Sequence, residues 1–82
     1  DVSPWAGQCD LVFVDGSHAY SYVVSDSEKA LQLVAPGGLV LWHDYAGPRH
    51  ASGVFRALNE LAQKIPLVRI EGTTLVAYRK PR

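Results

Sequence analysis

Hydrophobic residues along the chain change their spacing several times, and each change marks an element. Leu11-Val12-Phe13-Val14 is an unbroken apolar run that stops at Asp15-Gly16-Ser17. A short β-rich run closed by turn residues predicts a parallel strand buried on both faces. Over residues 19–35 the period lengthens. Tyr20, Val23, Val24, Ser27, Leu31 and Val34 recur at steps of three and four, with Ser25, Asp26, Glu28, Lys29 and Gln32 on the other side. This predicts an amphipathic helix. Pro36-Gly37-Gly38 is expected to end it, because proline lacks a donor and glycine accepts the left-handed turn. Leu39-Val40-Leu41-Trp42 reads as a second buried strand, with His43-Asp44-Tyr45 at its C-terminal end. After a loop over 46–52, Val54, Ala57, Leu58, Leu61, Ala62 and Ile65 give a second helical stripe, stopped by Pro66. Leu67 to Glu71 and Leu75 to Arg79 alternate around Gly72-Thr73-Thr74, which predicts an antiparallel hairpin.

The order strand, helix, strand, helix, hairpin specifies an α/β fold with a Rossmann-like partial sheet. The two strands flanking the first helix should be parallel with a right-handed crossover. The hairpin should add one antiparallel strand to that sheet. Residues 1–9, with Pro4 and Gly7, read as a loop in which Trp5 packs against whatever precedes it. Residues 10–80 then form one core, with no repeats or low-complexity segments.

Composition narrows the function classes. With 48% hydrophobic and 20% charged residues, the chain is globular rather than disordered. Eight basic and eight acidic residues cancel. A phosphate-tracking surface needs clustered Lys and Arg, so the balance argues against nucleic acid. The basic cluster Arg79, Lys80 and Arg82 reads as a frayed, solvated terminus. Cys9 stands alone, so no intrachain disulfide or zinc-type cysteine pair is available, which fits a reducing, cytoplasmic setting. No apolar run approaches the roughly 20 residues of a membrane span, and no signal peptide is visible. The chain begins at Asp1, contains no Met, and is shorter than the typical domain of about 100–150 residues, so it is expected to be a piece of a longer protein.

Ligands of open α/β sheets bind outside the carboxyl ends of the strands. That rule selects Asp15-Gly16-Ser17-His18 after the first strand and His43-Asp44-Tyr45 after the second, on one edge of the sheet. Two carboxylates with one or two imidazoles suit a divalent metal, which would lower the pKa of a bound hydroxyl. His18 or His43 could instead act directly as a general base. Bland roles stand beside these. Asp15 could cap a helix or form an Asx turn, His43 could be a satisfied histidine in a packed loop, and Asp44 could stabilise a turn. Tyr20 belongs with the core stripe, Tyr45 is either a pocket residue or an ordinary loop aromatic, and His50 reads as exposed.

The segments Asp10 to Asp15 followed by Gly16-Ser17-His18-Ala19-Tyr20, then Pro36-Gly37-Gly38, then His43-Asp44-Tyr45, then Gly53-Val54-Phe55-Arg56-Ala57 resemble, in order and spacing, the second half of class I S-adenosylmethionine-dependent methyltransferases. More narrowly they are similar to the group with Asp-Gly-Asp-His-Ser-Tyr after strand four and Gly-His-Asp-Tyr after strand five. The resemblance covers residues 9–80 and implies a seven-stranded sheet whose fourth to seventh strands lie here. It implies that Asp15, His43 and Asp44 are catalytic and, with Mg or Mn, metal-binding. Asp15, Gly16 and His18 would face S-adenosylmethionine, and Tyr45 would line the pocket for a small-molecule acceptor. Ser17 replaces the family's usual acid, Trp42 its usual glycine, and His43 stands where metal-dependent relatives carry a carboxylate. Neither the glycine loop after the family's first strand nor the ribose-binding acid after its second lies in this chain. The chain alone is therefore expected to bind the cofactor weakly or not at all.

Three readings follow. The first is methyl transfer to an oxygen or nitrogen of a small molecule by the complete domain. The second is a non-catalytic fragment or assembly module. In the family order the first predicted strand here pairs with one absent from this chain, so Leu11 to Val14 would be a bare apolar edge, expected to cause self-association or to receive a missing N-terminal half. A hydrolase is the weakest reading, because Ser17 lacks a Gly-x-Ser-x-Gly context.

Overall fold

The computed structural model describes residues 5–15, 19–46 and 52–82. Six elements follow in order: β1 (Cys9–Val14), α1 (Tyr20–Leu33), β2 (Val34–Trp42), α2 (Ser52–Leu61), β3 (Val68–Arg69) and β4 (Val76–Arg79). They form a four-stranded mixed sheet in the order β1-β2-β4-β3. β1 and β2 are parallel, whereas β4 runs antiparallel to both β2 and β3. The chain is thus α/β with a partial Rossmann-like sheet, and the last strand inserts between β2 and β3.

The core lies between the sheet and the two helices. Val23 and Ala30 from α1, Val54, Ala57 and Leu58 from α2, and Val34, Val40, Trp42 and Val76 from the sheet are buried together. The α1 stripe includes Ser27, a polar residue on an apolar face, and its burial has a cause. Its Oγ accepts a 2.8 Å hydrogen bond from the indole Nε1 of Trp42, so both polar atoms are satisfied inside the core. Tyr20 packs its ring on the core as the stripe suggests. Arg56 lies over that ring, 4.1 Å from its centroid. The Tyr20 hydroxyl donates to Glu60, and this hydrogen bond holds the phenol above its ordinary pKa.

β1 is not buried on both faces. Val12 and Val14 pack toward the core, but Leu11 is 60% and Phe13 55% exposed. Side chains alternate across a strand, and both helices pack on the Val12–Val14 side. An all-apolar run signals two faces that need covering; among the described residues only one is covered. Leu11 and Phe13 pair with Leu39 and Leu41, so the open face continues onto β2.

The end of α1 also differs from expectation. Leu33 is its last residue, and Val34 is already extended at φ −69° and ψ 133°, so the helix stops before Pro36. Proline disfavours the helical region for the residue preceding it, and the whole segment turns directly into β2. Between the pairs Cys9–Val34 and Leu11–Leu39 the register shifts, and Pro36-Gly37-Gly38 forms the irregularity. Gly37 has φ +82°, and a Cβ on Gly38 would lie 2.8 Å from the Asp10 carbonyl oxygen. Glycine is required there by close backbone approach rather than by helix termination.

The basic C-terminus is not frayed. Gly37 N–H donates to the Lys80 carbonyl and Lys80 N–H to that of Gly38. The Lys80 ammonium donates to the Val34 carbonyl at 3.2 Å, where a cation also complements the C-terminal end of the α1 dipole. Trp5 is exposed among the described residues, and what precedes it lies outside them. α2 ends at Leu61 and continues as a turn to Ile65. The hairpin strands are shorter than their alternation suggests, because the Thr73 hydroxyl and amide both donate to Ile70 O and so draw Ile70 and Glu71 into the turn. Among the described residues no helix is long and apolar enough to cross a membrane.

Two substitutions test this packing by chemical denaturation. Ser27→Ala strands a buried indole N–H and is expected to cost about 1–3 kcal/mol. Gly38→Ala forces the β1–β2 backbones apart and is expected to cost a similar ~1–3 kcal/mol. Unchanged midpoints would contradict both assignments.

Candidate functional site

The parallel pairing of β1 and β2 builds the site. Val14 is in register with Trp42, so the next residues, Asp15 and His43, leave the sheet side by side. The His43 amide continues the ladder by donating to Val14 O at 3.3 Å. Trp42 is only 1% exposed and is held by Ser27, so the strand tip has a fixed base.

Beyond that base three side chains converge. His43 Nδ1 lies 3.3 Å from Asp15 Oδ1 and 3.0 Å from Asp44 Oδ1. One potential ligand atom from each of Asp15, His43 and Asp44 falls within a 4.8 Å cluster. Although the His43 side chain is 40% exposed, Nδ1 itself is buried and makes no hydrogen bond among the described residues. Its short approaches to the carboxylates are electrostatic contacts without hydrogen-bond geometry. The ring meets Phe13 edge-on, with centroids 6.3 Å apart. Phe13 thereby lies against one side of the cluster.

Asp44 has φ +66°, a left-handed conformation uncommon for a residue with a side chain. Its neighbours hold it there. Tyr45 N–H donates to Thr74 O and Ala46 N–H to Asp44 O, both at 3.0 Å. Backbone held in such a region clusters at functional sites. The sequence carries a partial signal of it, since aspartate is one of the few residues that tolerate this region.

The structure thus brings together Asp15, His43 and Asp44. Gly16, Ser17, His18 and His50 lie outside the described residues. Tyr45 turns toward α2: its ring stacks on Phe55 at 5.2 Å and its hydroxyl lies 2.5 Å from Asn59 Oδ1. Sequence reasoning missed Asn59 and Phe55, which are simply surface and apolar positions of a helical pattern. It placed Trp42 in a buried strand, which the structure bears out, but did not show that its indole is anchored to Ser27 beneath the site. A depression of about 340 Å³ runs beside β1, lined by Val12, Phe13, Val14 and Asp15 together with Asp26 and Lys29 of α1.

Comparisons with known proteins place these features. The chain is 32% identical over 56 residues to an uncharacterized protein of Acanthamoeba polyphaga mimivirus, covering 68% of this chain and 25% of that protein. It is 40% identical over 53 residues to an uncharacterized protein of Sinorhizobium fredii, covering 65% of this chain and 6% of that protein. The chain therefore spans a quarter or less of the length of each of these relatives. A family model described as a methyltransferase domain matches residues 1–45, a stretch that includes β1, α1, β2 and all three converging side chains. That match covers more than half of the chain, which belongs to this family of methyltransferase domains.

Proposed function

We propose that the chain is the acceptor-side half of an S-adenosylmethionine-dependent methyltransferase domain that transfers a methyl group to an oxygen or nitrogen of a small molecule. The observation that carries this reading is the convergence of Asp15, His43 and Asp44 at the carboxyl edge of parallel strands in a methyltransferase family member. The strand order, with an antiparallel last strand inserted beside β2, is that of the family's closing strands and supports the assignment.

In this reading Asp15 and His43 hold the acceptor against the methyl donor. A carboxylate or His43 takes its proton as the acceptor oxygen or nitrogen gains the methyl group. Asp15, with Gly16 and His18 beside it, faces the cofactor. The donor set also suits a divalent cation: two carboxylate oxygens and a buried imidazole nitrogen that lacks a hydrogen bond among the described residues. Bound Mg or Mn would lower the pKa of an acceptor hydroxyl. Asp15, His43 and Asp44 would be its ligands.

The assembly reading shares the same surface. Among the described residues β1 pairs only with β2, so its outer edge offers unpaired backbone groups beside the exposed Leu11 and Phe13. Such an edge fits another strand, from the remainder of a longer protein or from a second chain.

Three outcomes are expected. Light scattering of the isolated 82-residue chain shows species larger than a monomer; a clean monomer at high concentration contradicts the open-edge account. Calorimetric titration of S-adenosylhomocysteine into the chain, with and without Mg or Mn, gives little or no binding, whereas micromolar binding would make this half a complete cofactor site. In a protein carrying both halves, Asp15→Asn lowers methyl transfer by about 100-fold or more without loss of fold. Undiminished turnover would remove Asp15 from the chemistry.

A further inference from the structure

We propose that Asn59 and Phe55 of α2 are positioning residues that set the Asp44 carboxylate against His43, acting through Tyr45. This rests on the reading of Asp15, His43 and Asp44 as the cation and acceptor site. Asp44 occupies a backbone region that persists only when its surroundings over-determine it. The strand fixes one side, because His43 N–H is bonded to Val14 O. The other side is Tyr45, and three separate contacts hold that residue. Its amide donates to Thr74 O at 3.0 Å, its ring stacks on Phe55 at 17° between planes, and its hydroxyl meets Asn59 Oδ1.

Phe55 and Asn59 are four residues apart, so they share one face of α2. Tyr45 lies along that turn, with its ring on the aromatic and its hydroxyl on the amide. The Asn59 oxygen accepts the phenol proton without adding a negative charge next to a site that already holds two carboxylates. Residues that orient ligand-bearing groups in this way govern affinity without touching the ligand. On this account the role of Tyr45 is to clamp the strand tip rather than to face the acceptor, because both its ring and its hydroxyl are engaged with α2.

The test uses the 82-residue chain and the variants Tyr45→Phe, which removes only the hydroxyl, Asn59→Ala, and their combination. NMR on metal-free protein reads the Asp44 backbone carbon shifts and exchange of the Tyr45 amide. Both single variants are expected to move the Asp44 shifts away from left-handed values and to speed that exchange, and the double variant no further than either single. Asn59→Asp, which keeps an acceptor, is expected to restore the wild-type shifts. Titration with Mn is expected to show weakening of roughly tenfold to a hundredfold in Tyr45→Phe and Asn59→Ala. Unchanged Asp44 shifts and Tyr45 exchange in both single variants would overturn the proposal, as would Mn binding that is equally tight in wild type and variants. If wild type binds no Mn while the Asp44 shifts still respond, the cation reading fails and the positioning role stands.

Discussion

The site depends on the parallel pairing of β1 with β2 and on the tryptophan that fixes its end. Trp42 is opposite Val14, buried against α1, and bonded through its indole to Ser27. A one-residue slip in the pairing would exchange the faces of every side chain on the strand. It would put the indole on the open face and withdraw Asp15 from His43. Burial of one large side chain, with its one polar atom satisfied, therefore determines which residues meet at the carboxyl edge.

Above that anchor, local strain and charge are arranged together. Asp44 is forced into a left-handed conformation between a sheet-bound histidine and a tyrosine clamped to α2. The result is two carboxylates flanking one imidazole nitrogen that has no hydrogen bond among the described residues. Two anionic groups at this range repel each other unless a cation, a proton or a polar ligand lies between them. Such an arrangement suits a group that holds a proton or a divalent ion, the role proposed above for these residues. Below the anchor, Gly38 and the Lys80 ammonium close the opposite end of β2. The strand is thereby fixed at both ends while, among the described residues, Leu11 and Phe13 of the neighbouring β1 stay exposed.

Much of this was legible in the residues. The apolar run at Leu11 to Val14 and the helical stripe from Tyr20 to Val34 located β1 and α1, and the hairpin alternation located β3 and β4. The rule that ligands gather at the carboxyl ends of parallel strands then selected Asp15, His43 and Asp44. What escaped was tertiary. The periodicity of α1 marked Ser27 without revealing that its partner was Trp42. An all-apolar strand cannot say whether both of its faces are covered, and Leu11 and Phe13 are not. Pro36-Gly37-Gly38 looked like a helix stop because proline and glycine serve both helix ends and strand irregularities. The terminal Arg79-Lys80 pair looked solvated because nothing local shows that the carbonyls of Val34 and Gly37, at the start of β2, lie within its reach. Asn59 and Phe55 gained meaning only once Tyr45 was seen stacked across them.

The central claim is the register that joins Asp15 to His43 and Asp44, and cross-strand nuclear Overhauser effects measure it directly. The account predicts contacts between the backbone protons of Phe13 and Leu41 and of Val14 and Trp42, with the His43 amide bonded to Val14. A pattern displaced by one residue, with Val14 opposite Leu41 or His43, would contradict it and dissolve the proposed site.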